Sequence, residues 1–341
     1  MAVFNELPLP FATLRADAVE HNIERFGARV ASAGAELAPH AKTSMAPWLL
    51  ERQLAAGAWG LTVANASQLA ALADLPVPRF IVTAPVLDAP SLALLDGHEV
   101  LVFADSAEAV ERMPSLPVLI EIGYPGGRTG CRTMDDVERV LSAAGERVRG
   151  VAAFEGTLHE RAPVRTLLDD VARAFERLDD PDAIVSAGGS VWFDEVLDVL
   201  GGLPLILRSG CYVTHDHGFY DDASPLGGQL RGALEVWGAV LSRPEPGLAL
   251  VGVGKREVSF DLGLPVPLHR WSADGLSAVG AATVTALNDH HAYVAVEEDW
   301  RVGDVIGFGI SHPCTTFDRW REIAVVDDAY DVVDMARTRF S

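Results

Sequence analysis

The chain has 341 residues, 49% hydrophobic and 22% charged, which is enough apolar material for one large domain or two ordinary ones and unlike a disordered or collagen-like composition. Asp and Glu number 48 against 27 Lys and Arg, a formal charge of −21 that repels nucleic-acid phosphates and anionic membrane surfaces. Three widely spaced cysteines, Cys131, Cys211 and Cys314, make no disulfide framework, and the opening MAVFNELPLP has neither the basic nor the apolar region of a secretory leader. No apolar run reaches the roughly 18 residues of a membrane span, so a reducing, cytoplasmic setting is expected.

A helical pattern over ADAVEHNIERFGARVASAG comes first. Short apolar runs then recur at 36–42, 60–65, 79–84, 99–104, 117–123, 148–156, 183–189 and 204–210. Segments with helical spacing separate them, among them MAPWLLERQLAAG, TMDDVERVLSAAG, VRTLLDDVARAFERL and VWFDEVLDVLGG. Strands that alternate with helices and read as continuously apolar imply a parallel sheet covered on both faces. Eight such units in about 200 residues favour a (β/α)8 barrel over an open doubly wound sheet. After about residue 225 the texture changes to β-branched and alternating runs joined by Gly, Pro and Asp, as in LALVGVG, GAATVTALNDHHAYVAVEED and VGDVIGFGI. The expected division is a barrel over 1–225 and a β domain over 226–341.

Active sites of such barrels form at the C-terminal ends of the strands. Lys42 in PHAKTS ends the first run and is one of only two lysines, the other being Lys255, among 27 basic residues. A lysine facing the barrel mouth is partly desolvated, which lowers its pKa and makes the amine nucleophilic; arginine cannot substitute in that chemistry. Arg128 lies in the Gly-rich GYPGGRTG, where a guanidinium could hold an anionic oxygen. SAGGS, with Gly188, Gly189 and Ser190, and RSGCY, with Gly210, Cys211 and Tyr212, follow strands seven and eight, the usual phosphate position of this architecture. In the late β segment, His312 and Cys314 have H-x-C spacing, which on a strand faces both toward one soft-leaning ion such as Zn²⁺; the plain alternative is a polar loop. Two donors leave such a site open to water or substrate. THDHG offers His215 and His217 as an H-x-H pair of the metal-hydrolase type, though placed after the eighth strand rather than the first. GVGKRE around Lys255 lacks the glycine and hydroxyl residue of a phosphate-binding P-loop.

Taken together, PHAKT, GGRTG, AGGS, SGCY and SHPC resemble the fold-type III pyridoxal phosphate (PLP) enzymes, and within them the D-threonine aldolase and D-serine dehydratase family. KTSMAPWLLERQLAAGAWG is similar to bacterial amino acid deaminases of that family. The resemblance implies an alanine racemase-like barrel, PLP and a divalent metal as cofactors, a small amino acid as substrate and a homodimer. It makes Lys42 the lysine that links to the cofactor, Arg128 a contact to its phenolate or to a carboxylate, and Gly188, Gly189, Ser190, Gly210, Cys211 and Tyr212 its phosphate cup. His312 and Cys314 become the metal pair. H-x-C rather than H-x-D there implies β-elimination from a D-3-hydroxy amino acid to a 2-oxo acid and ammonia, with aldol cleavage to glycine and an aldehyde as the alternative and His159 as a base for it. A non-catalytic PLP carrier and a metal-dependent hydrolase are the readings from other classes. The sequence departs from the family at Ser44–Met45 after the lysine-threonine pair, at Phe154 where a tyrosine is usual, and at Asp289–His290.

Overall fold

The computed structural model describes residues 3–340. The chain divides into two compact units, one of 26–42 and 50–210, the other of the residues up to Arg25, 43–49 and everything from Cys211 onward. The second boundary therefore falls at 210/211 rather than at 225, and the N-terminal residues sort with the C-terminal ones. No helix among the described residues is long and apolar enough to cross a membrane.

Strand β1 (Phe11–Arg15) belongs to the second unit. The first unit holds β2 (Glu36–Leu37), β3 (Leu61–Val63), β4 (Phe80–Val82), β5 (Val100–Ala104), β6 (Val118–Ile122), β7 (Val148–Ala153), β8 (Ile184–Ala187) and β9 (Leu205–Leu207). All pair in parallel in the order β2-β9-β8-β7-β6-β5-β4-β3. The two edges meet just beyond β2, where Thr62 N–H donates to Pro39 O at 3.0 Å and His40 bridges Thr62. The eight expected runs are thus the eight strands of a closed parallel sheet, each shorter than its apolar run. Every residue of β3, β4, β6 and β9 is buried, because helices cover the outside and side chains fill the inside. Ala38, Ile81, Phe103, Leu119, Ala152 and Ile206 form an interior cluster, where each large side chain contributes about 1.5–3 kcal/mol by burial. Gly150 lets β7 and β8 approach closely: its φ is +148° and a Cβ there would lie 1.9 Å from Ile184 O.

Short polar side chains turn the chain from strand to helix at the C-terminal ends. Asn65, Ser106 and Thr133 each accept the N–H three residues on, and Thr133 and Asp136 cap each other reciprocally. These caps fix where the functional loops begin.

The second unit is a ten-stranded sheet made with β10 (Leu234–Glu245), β11 (Leu248–Val251), β12 (Val266–Ser272), β13 (Gly275–Ala278), β14 (Ala282–Leu287), β15 (Ala292–Val296), β16 (Val305–Gly309), β17 (Glu322–Val326) and β18 (Val332–Arg337). Its main path runs β13-β12-β16-β10-β1-β17-β18, and β11, β15 and β14 continue from β10. Strand β1 is antiparallel to β10, with Phe11 opposite Trp237, and parallel to β17, with Thr13 opposite Ala324. FATLR carries no local signal for this, since its partners lie hundreds of residues later. Phe11, Trp237, Val305, Ala324, Val326 and Tyr330 pack together, and Trp237 Nε1 donates to Thr13 Oγ1 at 2.9 Å. Within the same unit Glu235 is 2% exposed and accepts the Tyr330 hydroxyl at 2.9 and 3.0 Å on its two oxygens.

Candidate active site

Lys42 sits in a single 3-10 turn, Ala41–Thr43, directly after the His40 bridge. Its side chain lines a cavity of 310 Å³ in the barrel unit together with His40, Arg128, Phe154, Gly189 and Arg208. Three cations therefore meet one cavity in a chain whose formal charge is −21. Such a concentration of positive charge favours an anionic ligand. Burial, then the charges of Lys42, Arg208 and Arg128, hold the His40 imidazole well below the usual histidine value, so it is neutral. Its Nδ1 is sealed from solvent with no protein partner.

Arg128 reaches the cavity from a loop that is built in advance. Arg132 donates to the carbonyls of Gly127, Arg128, Thr129 and Gly130 at 2.7–3.0 Å. Gly130, at φ +104°, gives its N–H to Asp105 Oδ2 at 2.9 Å. Gly123 lies under this loop, where a Cβ would come within 1.9 Å of Arg132 Nη1. The Arg128 guanidinium lies 4.5 Å over the Phe154 ring, a stacking contact that fixes its plane. The glycines of this loop were visible in the sequence; the organising role of Arg132 was not, because it consists of contacts to backbone.

Arg208 was not singled out by the sequence, although it opens the RSGCY motif. It is fully buried, donates to Ser186 Oγ at 2.8 Å and Ala153 O at 2.6 Å, and lies 5.2 Å from the Phe103 ring. Burial lowers its guanidinium to about 10, against the opposing pull of Glu155 and Glu121, so it stays charged at neutral pH. The available signal was an arginine ending a strand that is otherwise apolar throughout. Buried Glu155 in turn accepts the N–H groups of Gly188 at 3.3 Å and Gly189 at 2.5 Å. Two N–H groups expected to meet a phosphate are thus held by a protein carboxylate. Ser190 follows them, half-buried, and Gly210 closes the barrel unit, buried. Gly188 has φ +90° and a Cβ there would lie 2.4 Å from Leu207 Cδ2, so only glycine fits. His159 is exposed, just before the helix Arg161–Phe175, and is not part of the cavity lining.

The remaining predicted residues belong to the sheet unit. Cys211 and Tyr212 open its long C-terminal segment in the turn Cys211–Val213, both buried. His312 occupies the N-cap position of the short helix Pro313–Phe317, which carries Cys314, so the pair lies at a helix start rather than on a strand. His312 Nδ1 donates to Asp261 Oδ2 at 2.7 Å, which fixes the orientation of the ring. Cys314 Sγ lies 3.5 Å from Cys211 Sγ. His215 pairs with Asp221 Oδ1 at 3.3 Å, and the half-buried His217 ring packs where a Cβ on Gly309 would come within 2.4 Å of it. Among the described residues no three His, Cys, Asp or Glu side chains group to hold a metal. Neither the His215–His217 pair nor the His312–Cys314 pair belongs to such a cluster.

Comparison with known proteins gives a consistent picture. A model of the alanine racemase N-terminal domain matches residues 14–193, and one of a putative serine dehydratase domain matches 233–326. The chain is 25% identical over 339 residues to D-threonine aldolase of Arthrobacter sp., covering 89% of this chain and 86% of that one. It is 25% identical over 295 residues to 3-hydroxy-D-aspartate aldolase of Paracoccus denitrificans (strain Pd 1222), covering 76% of each. It is 30% identical to D-threo-3-hydroxyaspartate dehydratase of Delftia sp. (strain HT23), over 45% of each chain. Among solved structures, D-threonine aldolase from Filomicrobium marinum superposes with a TM-score of 0.84 at 24% identity, covering 97% of this chain and 95% of that one.

Proposed function

The chain belongs to the alanine racemase N-terminal domain family of fold-type III PLP proteins, on the D-threonine aldolase and D-serine dehydratase side, and from that premise we propose that it is a PLP-dependent lyase of D-3-hydroxy amino acids that eliminates the hydroxyl. The observation that carries this reading is the meeting of Lys42, Arg128 and Arg208 at one 310 Å³ cavity. These groups fit PLP: an amine for its aldehyde, guanidiniums for anionic oxygens, and a glycine turn at 188 that no larger residue could replace. When bound, PLP supplies an electron sink for charge developing at the substrate α-carbon.

Lys42 would hold the cofactor and, once exchanged for the substrate amine, take the α-proton at Nζ. Arg128, fixed by Arg132 and Phe154, would hold an anionic oxygen without reorganising. Arg208 would keep a positive charge against the cofactor ring or phosphate. The turn of Gly188, Gly189 and Ser190 with Gly210 is the proposed phosphate contact on the barrel side, where Glu155 is the resident competitor for the first two N–H groups. Neutral His40 offers a ring nitrogen to a ligand hydrogen-bond donor.

His312 and Cys314 are the proposed donors for a divalent metal, zinc by ligand chemistry. Imidazole oriented by Asp261 and a thiolate are the ligands such an ion prefers. A metal there would supply Lewis acidity toward a hydroxyl. The cysteine, in the position where aldolases of this family carry aspartate, favours elimination over aldol cleavage.

The test is product analysis after incubating the purified protein with PLP, Zn²⁺ and D-threonine. Elimination yields 2-oxobutyrate and ammonia. Glycine and acetaldehyde would instead mean an aldolase and overturn the argument from Cys314. A protein that gains no visible absorbance with PLP would overturn the cofactor assignment itself.

A further inference from the structure

The sheet unit brings together two sulfurs, of which the proposed chemistry uses only that of Cys314. Cys211 Sγ and Cys314 Sγ are 3.5 Å apart, and the Thr43 hydroxyl lies 3.8 Å from the first and 3.5 Å from the second. Two elements 103 residues apart in the chain supply them: the turn Cys211–Val213 and the first turn of the helix Pro313–Phe317. All three cysteines of the chain are thiols. The two members of the pair differ in access, since Cys211 is 6% exposed and Cys314 half-buried. Being the more exposed of the two, Cys314 is the sulfur an oxidant meets first.

We propose that Cys211 and Cys314 are a redox pair that closes to a reversible disulfide under hydrogen peroxide, and that closure withdraws the Cys314 sulfur from metal binding. The first part stands on the two sulfurs alone; the second rests on the reading of His312 and Cys314 as metal donors. In the first step the Cys314 sulfur attacks peroxide, the O–O bond breaks, and sulfenic acid and one water form. In the second step the Cys211 sulfur attacks the sulfenic sulfur, the S–O bond breaks, and a second water leaves with the Cys211 proton. Two thiols are oxidised by two electrons and one peroxide is reduced to two waters. To form the bond the sulfurs must close by about 1.5 Å to the roughly 2.05 Å of a disulfide. A disulfide sulfur is no longer a thiolate and is a poor zinc ligand. Cys131 is of a different kind: in the barrel unit its thiol donates to Asp105 O at 3.4 Å, and burial, with Asp105 nearby, pushes it up to about 12.

The experiment treats the full-length protein, loaded with PLP and zinc, with increasing hydrogen peroxide, then alkylates, digests and maps the cysteines by mass spectrometry while metal content is read in parallel. The expected result is a cross-linked peptide pair holding Cys211 and Cys314, short of two hydrogen masses and reversed by dithiothreitol, with zinc content falling about tenfold as it forms. The Cys131→Ser variant should form the same cross-link. In Cys211→Ser, peroxide should carry Cys314 on to sulfinic acid, which dithiothreitol does not reverse. Sulfinic acid at Cys314 in the wild-type protein without the cross-link would overturn the proposal. A cross-link that forms while zinc stays bound would overturn its second part only. Failure to bind zinc before oxidation would refute the metal reading and leave the disulfide to be judged on the cross-link.

Discussion

In the barrel unit the concentrated groups are fixed charges: Lys42, Arg128 and Arg208 around one cavity, with Glu155 and Glu121 behind them. In the sheet unit they are polarizable: two sulfurs, an imidazole aimed by a carboxylate, and aromatic rings packed about Trp237. Planar, permanently charged guanidiniums discriminate phosphate and carboxylate by geometry, whereas sulfur and imidazole discriminate metal ions by softness. On the proposed reading, one chain separates anion recognition from metal recognition by unit. Each can be altered with a readout the other does not share.

Substituting Lys42 by Ala should have the largest effect. Turnover of D-threonine should fall at least ~10³-fold, as for loss of a covalent nucleophile, and the visible absorbance of bound PLP should vanish. Retained turnover would break the assignment of the barrel cavity. Cys314→Ala sharpens the contrast: turnover should fall on the order of 10²-fold and zinc should be lost, while PLP absorbance is unchanged. Loss of that absorbance would mean the two recognition functions are not separable. Arg208→Lys keeps the charge but loses the planar fork that spans Ser186 and Ala153, so PLP affinity measured by equilibrium titration should weaken about tenfold.

The smallest effect concerns stability and the sheet unit alone. Burial raises the Glu235 carboxyl from an ordinary 4.5 to about 7 despite the Tyr330 hydroxyl that favours its ionised form. Between those values the folded protein binds the proton more than the unfolded chain does, so Glu235 makes stability fall as pH rises through that window. Glu235→Gln should remove that loss. Its melting temperature relative to wild type should rise between pH 5 and pH 8, by the equivalent of on the order of 1 kcal/mol. A parallel shift at both pH values would show that the residue acts through packing instead.

Most barrel strands were legible because they are buried on both faces and announce themselves in a few contiguous residues, VLIEI and FIV being examples. Lys42 was legible from the scarcity of lysine and from its place after the first run. Arg132, Glu155 and Arg208 were not, because their roles lie in carbonyls, N–H groups and burial contributed by other loops. The sulfur pair was hidden for a related reason. Sequence spacing assigned Cys211 to a phosphate turn and Cys314 to a metal, and nothing in either neighbourhood reports a partner 103 residues away. The place of β1 in the sheet unit was hidden because FATLR takes its meaning only from β10 and β17.

That last strand has a consequence for how the chain is made. Thr13 leaves the ribosome 311 residues before its partner Ala324. At about 5–20 residues per second, roughly 15–60 s pass between the two. For that interval one edge of FATLR stays unpaired, the other waiting only until β10 is made, while β3 to β9 find their neighbours in the order they are synthesised. The nascent chain is therefore exposed to proteases and to mispairing at β1 until β17 has been made.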